Sequence, residues 1–138
     1  MQSYIFTYGT LRREFNNTFA RRLQQQAVWC GRASISGRLY DLGIYPGAVF
    51  DPDSTNLVWG DIWQVPHFEA VIALLDHYEG IGEAQPEYER IVVPATFANG
   101  NVCHCWFYNC TAIVSSVAVI PHGDYWQWCT ENKKDDAT

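Results

Sequence analysis

The amino-acid sequence predicts an α+β fold, a small mixed or mostly antiparallel β-barrel flanked by two or so helices. Short segments in which apolar and polar residues alternate recur along the chain, and turn residues separate them. Two other segments repeat apolar residues at helical spacing, and Asn99-Gly100 is a strong hairpin signal. The chain has 138 residues, of which 48% are apolar, so it can bury one core. We therefore predict one domain over residues 1–129 and a disordered tail over residues 130–138.

Four strands and one helix are predicted in the first half of the chain. The strands cover residues 4–7, 33–42, 48–50 and 57–65. Asn16-Asn17-Thr18 is an N-cap pattern, and Phe19 and Leu23 then recur at helical spacing, which predicts a helix over residues 17–26. Gly60, in the middle of a strand, predicts either a bulge or a close approach of other atoms to the backbone.

The second half contains the clearest helix and the hairpin. The helix is predicted to open at Pro66, which a first helical turn tolerates, and to end at Gly80. Its apolar stripe consists of Phe68, Val71, Ile72, Leu75 and Tyr78. Strands over residues 89–97 and 101–109 follow, and Pro94 places the first of them at an edge or a bulge. Beyond residue 111 we predict a strand-like run and then a short aromatic helix.

Charge and cysteine content argue against several classes of protein. The formal net charge of −6 argues against nucleic-acid binding and gives no support to an anionic membrane surface as a partner. No apolar run approaches the roughly 20 residues of a membrane span, and no secretory signal is recognised. The five cysteines are odd in number and irregularly spaced, which favours a cytoplasmic chain with reduced thiols over a disulfide framework. The oligomeric state, monomer or homodimer, is left open.

The first candidate for chemistry is the turn Tyr8-Gly9-Thr10-Leu11-Arg12, which follows the first predicted strand. A strand that ends in a glycine turn leaves backbone N–H groups without ladder partners, and glycine lets a ligand come close to the main chain. Such a turn can hold a carboxylate or a developing oxyanion. Taken alone, however, the pattern is most often only a turn.

The second candidate is Glu79, at the C-terminal end of the clearest helix. A carboxylate there opposes the negative end of the helix dipole, which costs up to about 1 kcal/mol when it is exposed. That field, together with burial near aromatic rings, would raise the carboxyl pKa towards the range of a general base. From spacing alone, a solvated side chain at a frayed helix end is the favoured alternative.

Other polar residues give weaker signals. Cys103-His104-Cys105 resembles a fragment of a metal site, but His104 would point away from both sulfurs on a strand, so we predict buried structural thiols and no metal. A nucleophilic pair of Cys110 and His122 has no local support. Arg12-Arg13 and Arg21-Arg22 could form a small positive rim on an acidic protein, but solvated turn and helix faces are the default interpretation.

Seven short segments, taken together and in order, carry a resemblance to a known family. They cover residues 8–12, 39–49, 59–63, 75–80, 88–90, 106–108 and 123–126. In these segments the chain resembles the γ-glutamylcyclotransferase-like family, which includes γ-glutamylamine cyclotransferases and small bacterial relatives. The resemblance runs from about residue 4 to residue 128 and implies a cyclotransferase fold, a small β-barrel with a cavity at one end.

The resemblance also implies an activity and a set of site residues. The activity is the conversion of a γ-glutamyl amine or amino acid to 5-oxoproline and the free amine, without metal or nucleotide cofactor. Glu79 is implied as the catalytic residue. The implied substrate-binding residues are Tyr8, Gly9, Thr10, Leu11, Tyr45, Pro46, Tyr88, Arg90 and Tyr108.

The expected chemistry uses these residues directly. The substrate's α-amine attacks its own γ-carbonyl, and Glu79 takes a proton from the amine and returns it to the leaving nitrogen. The N–H groups of residues 9–11 would hold either the α-carboxylate or the carbonyl oxygen. Two alternatives stay open: a non-catalytic protein that binds a small metabolite in the same cavity, and a thiol hydrolase.

Overall fold

The computed structural model describes residues 3–9, 12–13, 15–42, 45–79, 88–111 and 118–132, and for Tyr78 and Glu79 it describes the backbone only. Within these residues the chain forms seven strands and three helices. In chain order the elements are β1 (Tyr4–Thr7), α1 (Thr18–Gln26), β2 (Val28–Asp41), β3 (Pro46–Phe50), β4 (Leu57–Gln64), α2 (Phe68–Glu79), β5 (Tyr88–Phe97), β6 (Val102–Cys110), β7 (Ala118–Ile120) and α3 (Tyr125–Glu131).

Five of the strands close into a barrel. The pairings run from β1 to β4, β2, β5 and β6, and β6 returns to β1. The β1–β6 pairing is parallel, whereas the other pairings of the ring are antiparallel. β3 pairs with β2 and β6, and β7 pairs with β2. The predicted fold class, a small and mostly antiparallel barrel with helices, is confirmed.

Gly60 shows how tightly the barrel is packed. A Cβ atom at this position would lie 2.2 Å from the carbonyl oxygen of Thr7 and 2.7 Å from the ring of Phe6. The close approach predicted at Gly60 is therefore confirmed. A register irregularity lies elsewhere, in β2 between Trp29 and Gly31.

Two of the three helices in the described residues, α1 and α3, begin at a residue whose side chain caps them. The side chain of Asn17 accepts a hydrogen bond from the Ala20 N–H (2.8 Å), as the N-cap pattern predicted. α2 begins at Phe68, not at the predicted Pro66, because residues 66 and 67 form a turn. Asp124 caps α3, and this helix extends through residue 131, into the segment predicted as a disordered tail.

The parallel pairing of β1 and β6 defines the two ends of the barrel. Ile5 lies beside Trp106, so the C-terminal ends of both strands lie at the same end, together with the starts of β3 and β5. We call this the Gly9 end, because Gly9 follows β1 there. The predicted Asn99-Gly100 hairpin is confirmed at the opposite end, where Gly100 has a positive φ of 91° and joins β5 to β6.

Candidate functional site

Two loops meet at the Gly9 end. A Cβ atom on Gly9 would lie 2.9 Å from Cγ of Pro46, so the glycine lets the first turn pack directly against the start of β3. The hydroxyl of Tyr88 donates a hydrogen bond to the Pro46 carbonyl oxygen (2.7 Å). The rings of Tyr45 and Tyr88 lie 6.5 Å apart. Aromatic side chains therefore stand beside the turn that was predicted to bind substrate.

Tyr108 connects this turn to α2. Its carbonyl oxygen accepts a hydrogen bond from the Tyr8 hydroxyl (2.8 Å), and its own hydroxyl donates to Oδ1 of Asp76 (2.8 Å). The ring of Tyr8 packs 5.3 Å from that of Phe107. Because Tyr8 precedes Gly9 and Asp76 lies in the last turns of α2, one residue holds both elements at the same end of the barrel.

Arg90 completes this cluster. Its Nε lies 2.9 Å from Oδ1 of Asp76, an ion pair that lacks the angle of a hydrogen bond. Its guanidinium carbon lies 4.7 Å over the ring of Trp106, a cation–π contact. The Asp76 and Arg90 side chains are 20% and 26% exposed, so the pair is only partly open to solvent.

The structure brings together most of the residues that the sequence predicted for substrate binding, although these contacts do not test their roles. The residues at the Gly9 end are Tyr8, Gly9, Tyr45, Pro46, Tyr88, Arg90 and Tyr108. Thr10 and Leu11 lie outside the described residues. The backbone of Glu79 ends α2, one helical turn after Asp76, and its side chain lies outside the described part of the structure.

Asp76 was not among the site residues predicted from the sequence. A signal was present, since Asp76 belongs to the segment 75–80 and is a second carboxylate near the negative end of the same helix. Its two partners, Tyr108 and Arg90, come from later strands, so their proximity could not be read from spacing.

Arg12 is buried, contrary to the solvated position predicted for it. Its residue surface is only 1% exposed, and its Nη1 donates a hydrogen bond to Oδ1 of Asp124 (2.7 Å). Arg32 donates to the other oxygen of the same carboxylate (2.8 Å). Burial by itself raises the pKa of Asp124, but the charge of Arg12, the N–H of Gln127 and the charge of Arg32 outweigh it, and the pKa is lowered. Asp124 is therefore an anion near neutral pH.

A second buried carboxylate, Asp61, holds the same segment. It accepts hydrogen bonds from the backbone N–H of Arg13 (2.8 Å) and from Nε1 of Trp29 (3.1 Å), and Arg12 Nε lies 3.9 Å away. The N–H of Arg12 donates to the carbonyl oxygen of Gly9 (3.1 Å). Three of the seven family-like segments, around residues 12, 61 and 124, thus contribute to an ion network that anchors the first turn.

The hairpin end of the barrel carries a separate cavity of about 460 Å³, which includes no predicted site residue. It is lined by Tyr4, Cys30, Phe97, Val102, Cys103 and His104. Cys105 is buried as predicted, and burial and then the neighbouring Cys103 raise its pKa. Cys103, in contrast to the prediction, is partly exposed. All five cysteines are free thiols.

Two further observations concern the described residues as a whole. They contain no group of three or more His, Cys, Asp or Glu residues arranged to hold a metal ion. Within those same ranges, the helices are too short or too polar to cross a membrane.

Comparisons with known proteins place this architecture in a family. The family model described as "Gamma-glutamyl cyclotransferase, AIG2-like" matches residues 5–127. A Vibrio cholerae protein named "Putative gamma-glutamylcyclotransferase" is 32% identical over 94% of this chain and 97% of its own length.

Solved structures share the fold. YkqA from Bacillus subtilis superimposes with a TM-score of 0.73 at 22% identity over 99% of this chain, which spans only 44% of that longer protein. An AIG2-like protein from Mus musculus gives a TM-score of 0.66 at 23% identity over 82% of this chain and 80% of its own. At these identities the structures support the fold, and the family model and the Vibrio relative support the family. The chain belongs to the gamma-glutamyl cyclotransferase, AIG2-like family.

Proposed function

We propose that this protein is a γ-glutamylcyclotransferase-type enzyme that converts a γ-glutamyl amine or amino acid to 5-oxoproline and the free amine. Family membership supports the reaction class. The observation that carries the proposal for this chain is the position of Tyr108. Its carbonyl oxygen binds Tyr8, beside the glycine turn, and its hydroxyl binds Asp76, one helical turn before Glu79.

The reaction needs a base beside the attacking amine and a donor for the leaving nitrogen. The α-nitrogen forms a bond to the carbon of the γ-carbonyl group, and the bond from that carbonyl carbon to the leaving nitrogen breaks. An ammonium cannot attack, so a proton must first leave the α-nitrogen, and the departing amine must gain one. In the proposal, Glu79 performs both transfers, which is the usual role of a carboxylate positioned as general base and then general acid.

The helix end gives Glu79 a reason to be basic. The carbonyl groups of the last turn of α2 create a negative potential at the end of the helix where the backbone places Glu79. Such a potential disfavours the ionised form of a carboxyl group and so favours the uptake of a proton from an amine.

The glycine turn and the aromatic residues serve binding and orientation in this proposal. The N–H groups of residues 9–11 bind either the α-carboxylate or the carbonyl oxygen as it gains negative charge. Tyr45 and Tyr88 stand beside Gly9 and limit the conformations of the substrate chain. Holding the amine near the carbonyl lowers the entropic cost of ring closure.

The proposal is tested with Glu79→Gln, which removes the proton carrier and nearly keeps the shape. The expected loss of 5-oxoproline formation is about 100-fold or more, the usual effect of removing a general acid or base. The matched control is Glu69→Gln, at an exposed position in the first turn of the same helix, which should leave the rate unchanged. Circular dichroism and thermal unfolding establish that both variants fold.

The substrates are a panel of γ-glutamyl amino acids, γ-glutamylamines and glutathione, with 5-oxoproline as the measured product. Full activity of Glu79→Gln would show that another group carries the proton. A rise in melting temperature with γ-glutamyl compounds, without any product, would instead identify a metabolite-binding protein.

A further inference from the structure

Two contacts hold the Arg90 side chain, one at Nε and one at the plane of the guanidinium group. The two terminal nitrogens, Nη1 and Nη2, form the outer edge of this group. Nε faces Asp76 at 2.9 Å, and the guanidinium plane is in cation–π contact with Trp106. Among the described residues, no hydrogen bond or ion pair is made by Nη1 or Nη2. The side chain is 26% exposed, so this edge is reachable from solvent.

An arginine fixed in this way is a preorganised anion site. The guanidinium is always charged, and its two terminal nitrogens match the two oxygens of a carboxylate. The loss of side-chain entropy on binding normally reduces the affinity of such a contact. Here Asp76 and Trp106 already order the Arg90 side chain in the free protein, so this entropic cost is smaller. Asp76, the carboxylate that pairs with Arg90 within the described residues, lies against Nε rather than against the terminal nitrogens.

The Arg90 side chain also lies close to other residues of the candidate site. Arg90 is directly opposite Tyr108 in the β5–β6 ladder, and Tyr88, two residues earlier on the same strand face, binds Pro46 beside the glycine turn. Asp76 stands one helical turn before Glu79. The arginine is therefore a neighbour of both halves of the candidate site.

We propose that the terminal nitrogens of Arg90 bind a carboxylate of the γ-glutamyl substrate and that Asp76 is the residue that positions them. This inference rests on the proposed function. The carboxylate has two possible sources: the α-carboxylate, present in every γ-glutamyl compound, or the carboxylate of the leaving amino acid, absent from γ-glutamylamines. The second source would make the protein selective for γ-glutamyl amino acids.

Arg90→Met tests the contact, because methionine keeps an apolar stem over Trp106 and removes the charged edge. The loss of a charged hydrogen bond predicts a KM increase of about 10- to 100-fold. An equal increase for γ-glutamylalanine and γ-glutamylbutylamine assigns the α-carboxylate. An increase for γ-glutamylalanine alone assigns the carboxylate of the leaving group. Unchanged KM values for both substrates overturn the inference.

Arg38→Met is the matched control, since Arg38, on β2, makes a surface ion pair with Asp51 in the loop after β3 and should leave both KM values unchanged. Asp76→Asn should raise KM for the same substrates as Arg90→Met, but by a smaller factor, because the charge of Arg90 stays. In the double variant, Asp76→Asn should add little to Arg90→Met. A merely structural Asp76 would lower stability without this substrate pattern.

A binding measurement separates this inference from the proposed function. Calorimetry with 5-oxoproline, and with 5-oxoprolinamide as the ligand without a carboxylate, needs no turnover. One outcome is that no substrate is turned over, while Arg90→Met weakens the binding of 5-oxoproline but not that of 5-oxoprolinamide. In that case the carboxylate site at Arg90 is supported and the enzymatic proposal fails. If turnover is normal and Arg90→Met changes neither KM nor binding, the enzyme stands and the site fails. Absence of both turnover and 5-oxoproline binding in the wild-type protein refutes both.

Discussion

Replacing Arg12 with methionine should destabilise the protein far more than the same replacement at Arg32, although both arginines bind the same carboxylate. The two contacts with Asp124 have nearly equal lengths, 2.7 and 2.8 Å. They differ in burial, because the Arg12 side chain is 2% exposed and that of Arg32 is 52% exposed. The comparison therefore tests how far burial strengthens an ion pair with the same carboxylate.

The expected magnitudes follow from that difference. Arg12→Met leaves Asp124 and Asp61, which are 10% and 2% exposed, without their buried cation, and removing one partner of a buried pair costs roughly 3–5 kcal/mol. The pair of Arg32 with Asp124 is open to solvent on the arginine side, so it should contribute nearer the roughly 0–1 kcal/mol of exposed ion pairs. The stacking of Arg32 on Trp59, at 4.4 Å, adds about 0.5–1 kcal/mol at an exposed site.

Urea denaturation at neutral pH and low salt measures both free energies of unfolding. Equal m-values in the two variants would show that the denatured states are comparable. The expected result is a loss at least about 1 kcal/mol larger for Arg12→Met, from the ranges above. Losses that agree within error would refute the reasoning, because burial would then not control the strength of the pair.

Three further predictions follow from the packing and the charges. Gly60→Ala should lower the melting temperature strongly, because its Cβ would lie 2.2 Å from the Thr7 carbonyl oxygen, and a normal melting curve would contradict the tight packing described above. The pKa of Asp124 is lowered in the folded protein, so its stabilising effect is fully present above the ordinary pKa of 3.8 and is lost as the pH falls through the lower folded-state pKa. The free energy of unfolding should therefore fall less steeply with decreasing pH in Asp124→Asn than in the wild-type protein. Equal slopes in the two proteins would show that Asp124 does not contribute to the acid sensitivity. Iodoacetamide should label exposed Cys30 but not buried Cys105 in the native protein, as read by mass spectrometry, and enzymatic activity should survive; inactivation on labelling would favour the thiol hydrolase.

Local signals in the sequence predicted much of the architecture. Asn99-Gly100 fixes the hairpin by turn geometry alone, since the glycine adopts a positive φ. Asn17 caps α1 through a hydrogen bond to a residue three positions away, which spacing can reveal. Gly60 was informative because glycine weakens the middle of a strand and is placed there when other atoms come close to the backbone. The carbonyl oxygen of Thr7 is the atom that comes close.

The structural features that could not be predicted from the sequence depend on contacts between segments that are distant in the chain. β2 begins at Val28, well before the predicted residue 33, because its first residues pair with β4 without burying a face; Val28 is 57% and Trp29 39% exposed. Without an apolar alternation there is no strand pattern to read. The burial of Arg12 and the contact of Asp76 with Arg90 have the same origin, since each depends on a partner from another part of the fold.

The closing of the ring by β1 links the site to folding as a whole. Ile5 and Trp106 come from opposite parts of the chain, so their pairing must overcome a large loop-closure entropy. Gly9 lies two residues after the end of β1, so its approach to Pro46 depends on the position that the closed ring gives to β1. A partly folded intermediate with an open ring would therefore lack the ligand-binding end altogether, and binding competence should appear and vanish in step with global, cooperative folding.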